Sequence, residues 1–157
     1  MNNSVNEDKL YNLWWLIVYM RRAMYKARAK ELYQYGLTPE ESAILFSVNS
    51  IGYRATPAEI SRRLLREPHS TAGLLDRMER KGLIQRAKDL DRKNMVRVSI
   101  TKKGQEAYSQ SVKRESVHRI MSSLSEEACQ QLKGCLETLR DKALEEIGVN
   151  RKPPFPQ

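Results

Sequence analysis

His69, Ser70, Gly73 and Arg77 stand close together in a strongly basic chain, and their types suit reading the edges of nucleic-acid bases. Imidazole and hydroxyl groups can hydrogen-bond bases, a glycine lets a backbone approach a groove floor, and arginine holds phosphate. Arg62, Arg63 and Arg66 precede this stretch and Lys88, Arg92 and Lys93 follow it. An arginine on a slim loop suits a narrow minor groove with its enhanced negative potential. Asp91 would be repelled by phosphate, so its expected task is to orient Arg92. Overall, 28 Lys+Arg against 19 Asp+Glu leave a charge of +9 over 157 residues, with the surplus in residues 21–35 and 56–124. Such a balance favours a polyanionic partner, here double-stranded DNA.

Other chemistries find little support. The chain has no glycine-rich phosphate loop, no Gly-x-Ser-x-Gly elbow, no His-Glu-x-x-His and no Cys-x-x-Cys, so no enzyme is read here. Its two histidines, His69 and His118, lack metal-ligand spacing, and neither a metal nor a cofactor is expected. Cys129 and Cys135 are too few for a disulfide scaffold. On a helix they would point about 240° apart, so they read as small buried hydrophobes. The longest apolar run, Leu13 to Met20, falls well short of the about 20 residues a spanning helix needs. It has neither the basic stretch before it nor the cleavage site after it of a signal peptide. The expected location is the cytoplasm, with no membrane contact.

The elements that must position these residues are marked by their caps. Thr38-Pro39-Glu40-Glu41 and Thr56-Pro57-Ala58-Glu59 share one pattern: threonine as N-cap, proline at the first helical position, glutamate at the third. Thr101 and Ser125 are plainer N-caps. Helices are predicted over about 8–35, 39–48, 57–65, 68–81, 102–123 and 126–147. The third should bury Ala58, Ile60, Leu64 and Leu65; the fourth should bury Thr71, Leu74, Leu75 and Met78, leaving His69, Ser70, Ala72, Gly73 and Arg77 outward. Gly82 suits a left-handed C-terminal position. A period of two over Val96, Val98 and Ile100, pairing with residues 84–88, predicts a hairpin whose polar tip is 89–95.

Two short helices, a tight turn and then a basic hairpin make a winged helix-turn-helix, so the fold class is mainly α with a small β-hairpin wing. The first and last helices, about 40 and 33 Å long, exceed what a compact chain with a radius of gyration of about 15 Å can cover. Their apolar stripes, including Leu13 and Ile17 in the first and Leu132, Leu136 and Leu139 in the last, are expected to dimerise. Residues 1–35 and 105–149 would then form the dimerisation domain, 36–104 the DNA-binding domain and 150–157 a flexible tail. Tyr11, Trp14, Trp15, Tyr19 and Tyr25, with Arg21 and Arg22, read as dimer core and rim; a pocket for an aromatic acid is the alternative, and no ligand site is assigned.

Ile60-Ser61-Arg62-Arg63-Leu64, the run Leu74 to Ile84 with its Glu79-Arg80-Lys81-Gly82-Leu83-Ile84 phrase, Asp91-Arg92-Lys93 and Thr101-Lys102-Lys103-Gly104 resemble the MarR family of bacterial transcriptional regulators. The resemblance implies an obligate homodimer with two winged-helix lobes on a pseudo-palindromic site, usually a repressor. In many relatives a small, often aromatic, anion between the dimer and DNA-binding regions releases DNA; others respond to cysteine oxidation. Two positions depart from the pattern. Gly73 replaces a longer polar or basic side chain, and Thr71 an apolar one. A protein-interaction scaffold or a nonspecific architectural DNA binder would use the same basic face.

Overall fold

The computed structural model of the chain describes residues 2–150 apart from 90 and 93, with side chains from residue 8 onward. Lys93 and residues 151–157 of the expected tail lie outside the described residues. Among the described residues, seven helices and one hairpin follow in order: α1 (Asn2–Tyr33), α2 (Pro39–Ile51), a 3-10 turn (Gly52–Arg54), α3 (Pro57–Arg63), α4 (Pro68–Arg80), β1 (Ile84–Lys88), β2 (Val96–Ile100), α5 (Lys102–Ser111), α6 (Glu115–Met121) and α7 (Glu126–Glu146). The strands pair antiparallel with Ile84 opposite Ile100. Ala55 adds one rung, its carbonyl accepting the Val98 N–H at 2.9 Å.

The caps act as their residue types require. Thr38 and Glu41 close a reciprocal box at the start of α2, at 3.2 and 2.9 Å. Thr56, Thr101 and Ser125 accept from the third residue of α3, α5 and α7. Glu41 is 3% exposed and also receives Lys81 Nζ at 2.7 Å, so one carboxylate joins the start of α2 to the end of α4. Gly82, at φ 72°, ends α4 with the Leu83 N–H returning to the Met78 carbonyl, a Schellman closure.

Three expectations are corrected. The third helix stops at Arg63 because Leu65 takes the left-handed φ of 50° usual for glycine, letting the Arg66 N–H close on the Ser61 carbonyl. Its inner face is Ile60, Ser61 and Leu64, while Ala58 and Leu65 are exposed; Ala58, two residues from Ile60, is turned about 200° away, and Leu65 lies past the helix end in the left-handed turn. The single helix expected over 102–123 is broken, α5 ending at Ser111 and α6 starting at Glu115, with Arg114 left-handed at φ 51°. Side chains of α1 hold the break: Arg28 donates to the Ser111 carbonyl at 2.6 Å, and Glu31 accepts the Glu115 and Ser116 N–H groups and the Ser116 hydroxyl.

Among the described residues, every buried apolar side chain except Leu144 lies between Leu32 and Tyr108. The core is therefore that of the winged-helix lobe, with α2 running through it against α1, α3, α5 and β2. Only the C-terminal half of α1 docks on it. From Leu10 to Met20 the large apolar side chains of α1 are exposed apart from half-buried Ile17 and Val18. Successive residues advance about 100°, so these groups encircle the helix. On α7, Leu136 and Leu139 are 40% and 49% exposed, and Leu132 is half-buried. Cys129 is half-buried and Cys135 exposed, both as free thiols rather than core groups.

The departure at Thr71 has a cost. Its side chain is fully buried and its Oγ1 finds no hydrogen-bond partner among the described residues. Thr71→Val keeps the shape and removes the stranded hydroxyl. It is expected to raise stability by about 1 kcal/mol, seen as a rise of about 2–4 °C in the melting midpoint.

Candidate nucleic-acid interface

Helix α4 buries Thr71, Leu74, Leu75 and Met78 and turns His69, Ser70, Ala72 and Arg77 to solvent, with Gly73 half-buried. This is the expected orientation. Its N-cap, Glu67, makes no side-chain cap, so the first-turn N–H groups keep their positive end for an anion. Gly73 has an ordinary helical backbone. A Cβ built there would lie 3.8 Å from Arg77 Nη1, so the Arg77 guanidinium lies over the glycine. The missing side chain at 73 is thus partly replaced by one from the next turn.

The hairpin is braced against α4. Arg86 reaches Asp76 at 2.6 Å and Glu79 at 2.7 Å, and the Glu79 carboxylate also accepts the Arg86 N–H. The Arg86 side chain, then its N–H, holds the Glu79 carboxyl below its ordinary pKa. At the tip, the orienting carboxylate is Asp89 and not Asp91. Asp89 Oδ1 accepts the N–H groups of Asp91 and Arg92, both at 2.9 Å, while Oδ2 receives Arg97 Nε at 2.5 Å. Those bonds, the Arg97 side chain first, lower the Asp89 pKa. Asp91 enters this arrangement through its backbone, and its side chain is exposed. The signal was an aspartate at a strand end, where its side chain can close on N–H groups two and three residues ahead. Arg92 and Lys88 are exposed on the wing.

Two of the arginines before α4, Arg62 and Arg63, are engaged within the fold. Arg62 makes bonds of 3.0 and 2.6 Å to Glu59. Arg63 lies over the Phe46 ring at 5.7 Å, and Arg114 approaches the same ring at 5.7 Å. Arg66 has a buried Nε with no partner among the described residues, and its charge acts on the Tyr25–Glu40 pair. The Tyr25 hydroxyl donates to Glu40 at 2.9 Å, and that bond, with burial, raises its pKa against the opposing pull of Arg21 and Arg66. Of the four arginines expected to hold phosphate around this helix, Arg77 is exposed and the other three are half-buried.

A second feature lies where α1, α2 and the α5–α6 break meet. A cavity of about 360 Å³ there has cationic groups, Arg28 and Arg114, and an apolar lining that includes Phe46, Tyr108, Val112 and Val117. The aromatic cluster expected on α1 is elsewhere: Tyr11, Trp14, Trp15 and Tyr19 are each more than half exposed.

The model of the MarR family matches residues 35–93, which span α2 to the wing. The structure of the organohalide-sensing transcriptional regulator RdhR-CbdbA1625, in its 2,4-dichlorophenol-bound form, is 30% identical and superposes with a TM-score of 0.84 over 94% of this chain and 89% of that one. The chain belongs to the MarR family.

Other MarR-like structures share the fold at lower identity. A cysteine-to-serine mutant of MarR from E. coli, complexed with operator DNA, is 20% identical with a TM-score of 0.78, covering 84% of this chain and 96% of that one. MepR from S. aureus, in a complex with DNA, is 24% identical with a TM-score of 0.74, covering 82% of this chain and 96% of that one. A search of curated proteins finds no match. Among the described residues, no helix of this MarR-family chain is long and apolar enough to cross a membrane.

Proposed function

We propose that this chain is a cytoplasmic, homodimeric transcriptional repressor that binds an inverted-repeat operator and releases it on binding a small aromatic ligand. One observation carries the reading: an outward polar face of α4, braced to a basic wing, sits on a self-contained core whose flanking helices leave their apolar surfaces uncovered. Residues 36–104 read DNA, while 1–35 and 105–149 pair two copies through Leu13, Ile17, Leu132, Leu136 and Leu139. His69, Ser70 and Gly73 face base edges, Arg77 and Lys88 face phosphates, and Arg92 with Lys93 serves the minor groove. Arg62 and Arg63 support the reader from within, by placing α3, and Arg66 in the turn after it serves phosphate. The cavity between Arg28 and Arg114 suits the ligand, since an apolar pocket with a few convergent charges fits a ring bearing an acid or a phenolate. The relatives bound to DNA and to dichlorophenol support both halves of this reading.

Footprinting on the DNA upstream of its own gene tests it. Two protected stretches about 34–36 Å apart, centre to centre, are expected, with protection lost when phenols or aromatic acids are added. An architectural binder would protect no defined stretch, and a scaffold would show weak retention blind to sequence. The paired change Leu136→Glu with Leu139→Glu should give a folded monomer in sedimentation and weaken operator binding by about 100-fold, because the second half-site no longer binds as a linked event.

A further inference from the structure

We propose that Tyr53 and Arg54, in the 3-10 turn before α3, form an additional phosphate-holding point on the DNA face, across a cleft from the wing. This deepens the DNA-binding reading above and rests on it. Tyr53 is 81% exposed, so no part of the fold buries its ring. Arg54 Nε donates to the Tyr53 hydroxyl at 2.9 Å, and its guanidinium carbon lies 5.3 Å from the centre of that ring. Stacking and a hydrogen bond together pre-order a long cationic side chain that would otherwise lose freedom on contact.

The turn beneath it is pinned from behind. The Arg54 carbonyl accepts Arg97 Nη1 at 3.0 Å, and fully buried Ala55 bonds back to Gly52 at 3.0 Å and across to Val98 at 2.9 Å. Arg97 is also the residue that grips Asp89, so the wing tip and the turn share one brace.

Between them lies a cleft of about 650 Å³, with Arg54 and Thr56 on one wall and Asp91 and Arg92 on the other. The remaining acids of the cleft are neutralised: Asp89 by Arg97 at 2.5 Å and Glu59 by Arg62 at 2.6 Å. Arg54 and Arg92 make no salt bridge among the described residues. Asp91 is the one acid opposing them, which leaves the cleft mouth with net positive charge. The minor groove is only about 6 Å wide. When Arg92 enters it, a bordering phosphate strand must run beside the wing, and Arg54 stands on the wall facing that strand.

The test compares wild type, Arg54→Ala and Arg54→Lys on a duplex selected by the wild-type protein from a random-sequence pool. Affinity is measured from 50 to 200 mM salt. One phosphate per protomer predicts that Arg54→Ala lowers the slope of log affinity against log salt by about 1.8 per dimer, so it loses about 12-fold less affinity across that range. Its weakening at low salt should be equal on all single-base variants of the duplex, and Arg54→Lys should restore the slope. The backbone of the turn carries its structural bonds, so these variants should melt as wild type does; should Arg54→Ala fail to fold, Arg54→Gln makes the same comparison. A wild-type slope in the neutral variant, or a loss confined to one base position, would overturn the assignment while leaving the operator reading intact. Failure of the wild-type protein to select any duplex would remove both.

Discussion

Glu31→Gln is expected to destabilise the protein by about 3 kcal/mol, because it breaks a buried, multiply bonded ion pair. The glutamate side chain is 3% exposed, and its Oε2 lies 2.7 Å from Arg28 Nη1. It also accepts the first free N–H groups of α6, from Glu115 at 2.8 Å and Ser116 at 3.1 Å. Burial alone would raise its pKa. The Ser116 hydroxyl, the Arg28 guanidinium and the two amides together outweigh burial and lower it from 4.5 to about 2. The ionised form is therefore the one that favours folding. Its contribution is complete above the unfolded value of 4.5 and disappears as pH falls through about 2. That difference corresponds to about 3 kcal/mol. Denaturant titrations from pH 6 to pH 2 should show the wild type losing this stability, while Glu31→Gln lacks it throughout. Equal pH profiles for the two proteins would show that Glu31 does not hold the break.

Gly104→Ala should cost about 3 kcal/mol through overpacking, or about 6–12 °C in melting midpoint. A Cβ on Gly104 would fall 1.9 Å from the Leu83 carbonyl oxygen and 2.8 Å from Ile100 Cγ2. The first of these is backbone and cannot swing aside. It is fixed by the Thr101 N–H at 3.1 Å, while the Thr101 hydroxyl bonds the Gly82 carbonyl at 2.5 Å. The end of α4, the start of β1 and the start of α5 meet at this point, so the strain would fall on the wing. Differential scanning calorimetry measures the stability loss, and a matched control at Gly134, which has nothing within 4 Å, should show no comparable loss.

The reading lobe was legible in the chain because its elements are set by local chemistry. The Thr-Pro-x-Glu starts, Gly82 and the alternation at Val96 to Ile100 act within a few residues, and the bounds of both strands were found from them. The break at 112–114 was not legible. No proline or glycine marks it, and it is maintained by Arg28 and Glu31, more than eighty positions earlier. The commitments of Arg62 and Arg63 were hidden for a similar reason. Charge patterning says that an arginine is present, but not that a nearby carboxylate or a ring on another helix has already taken it. Asp89 could have been found, since a side chain closing on N–H groups two and three residues ahead is a local pattern. Asp91 adjoins Arg92 directly, and that adjacency is the plainer pattern in the sequence.

The placement of nearly all buried apolar groups between Leu32 and Tyr108 separates two properties that a single shared core would tie together. How well each lobe folds is governed by the middle of the chain; in the proposed dimer, how far apart two lobes stand would be governed by its ends. Inserting or deleting a helical turn in the terminal segments would shift the lobes by about 5.4 Å without opening either interior. The proposed dimer could thus drift toward new half-site spacings while the surface proposed to read each half-site stays intact.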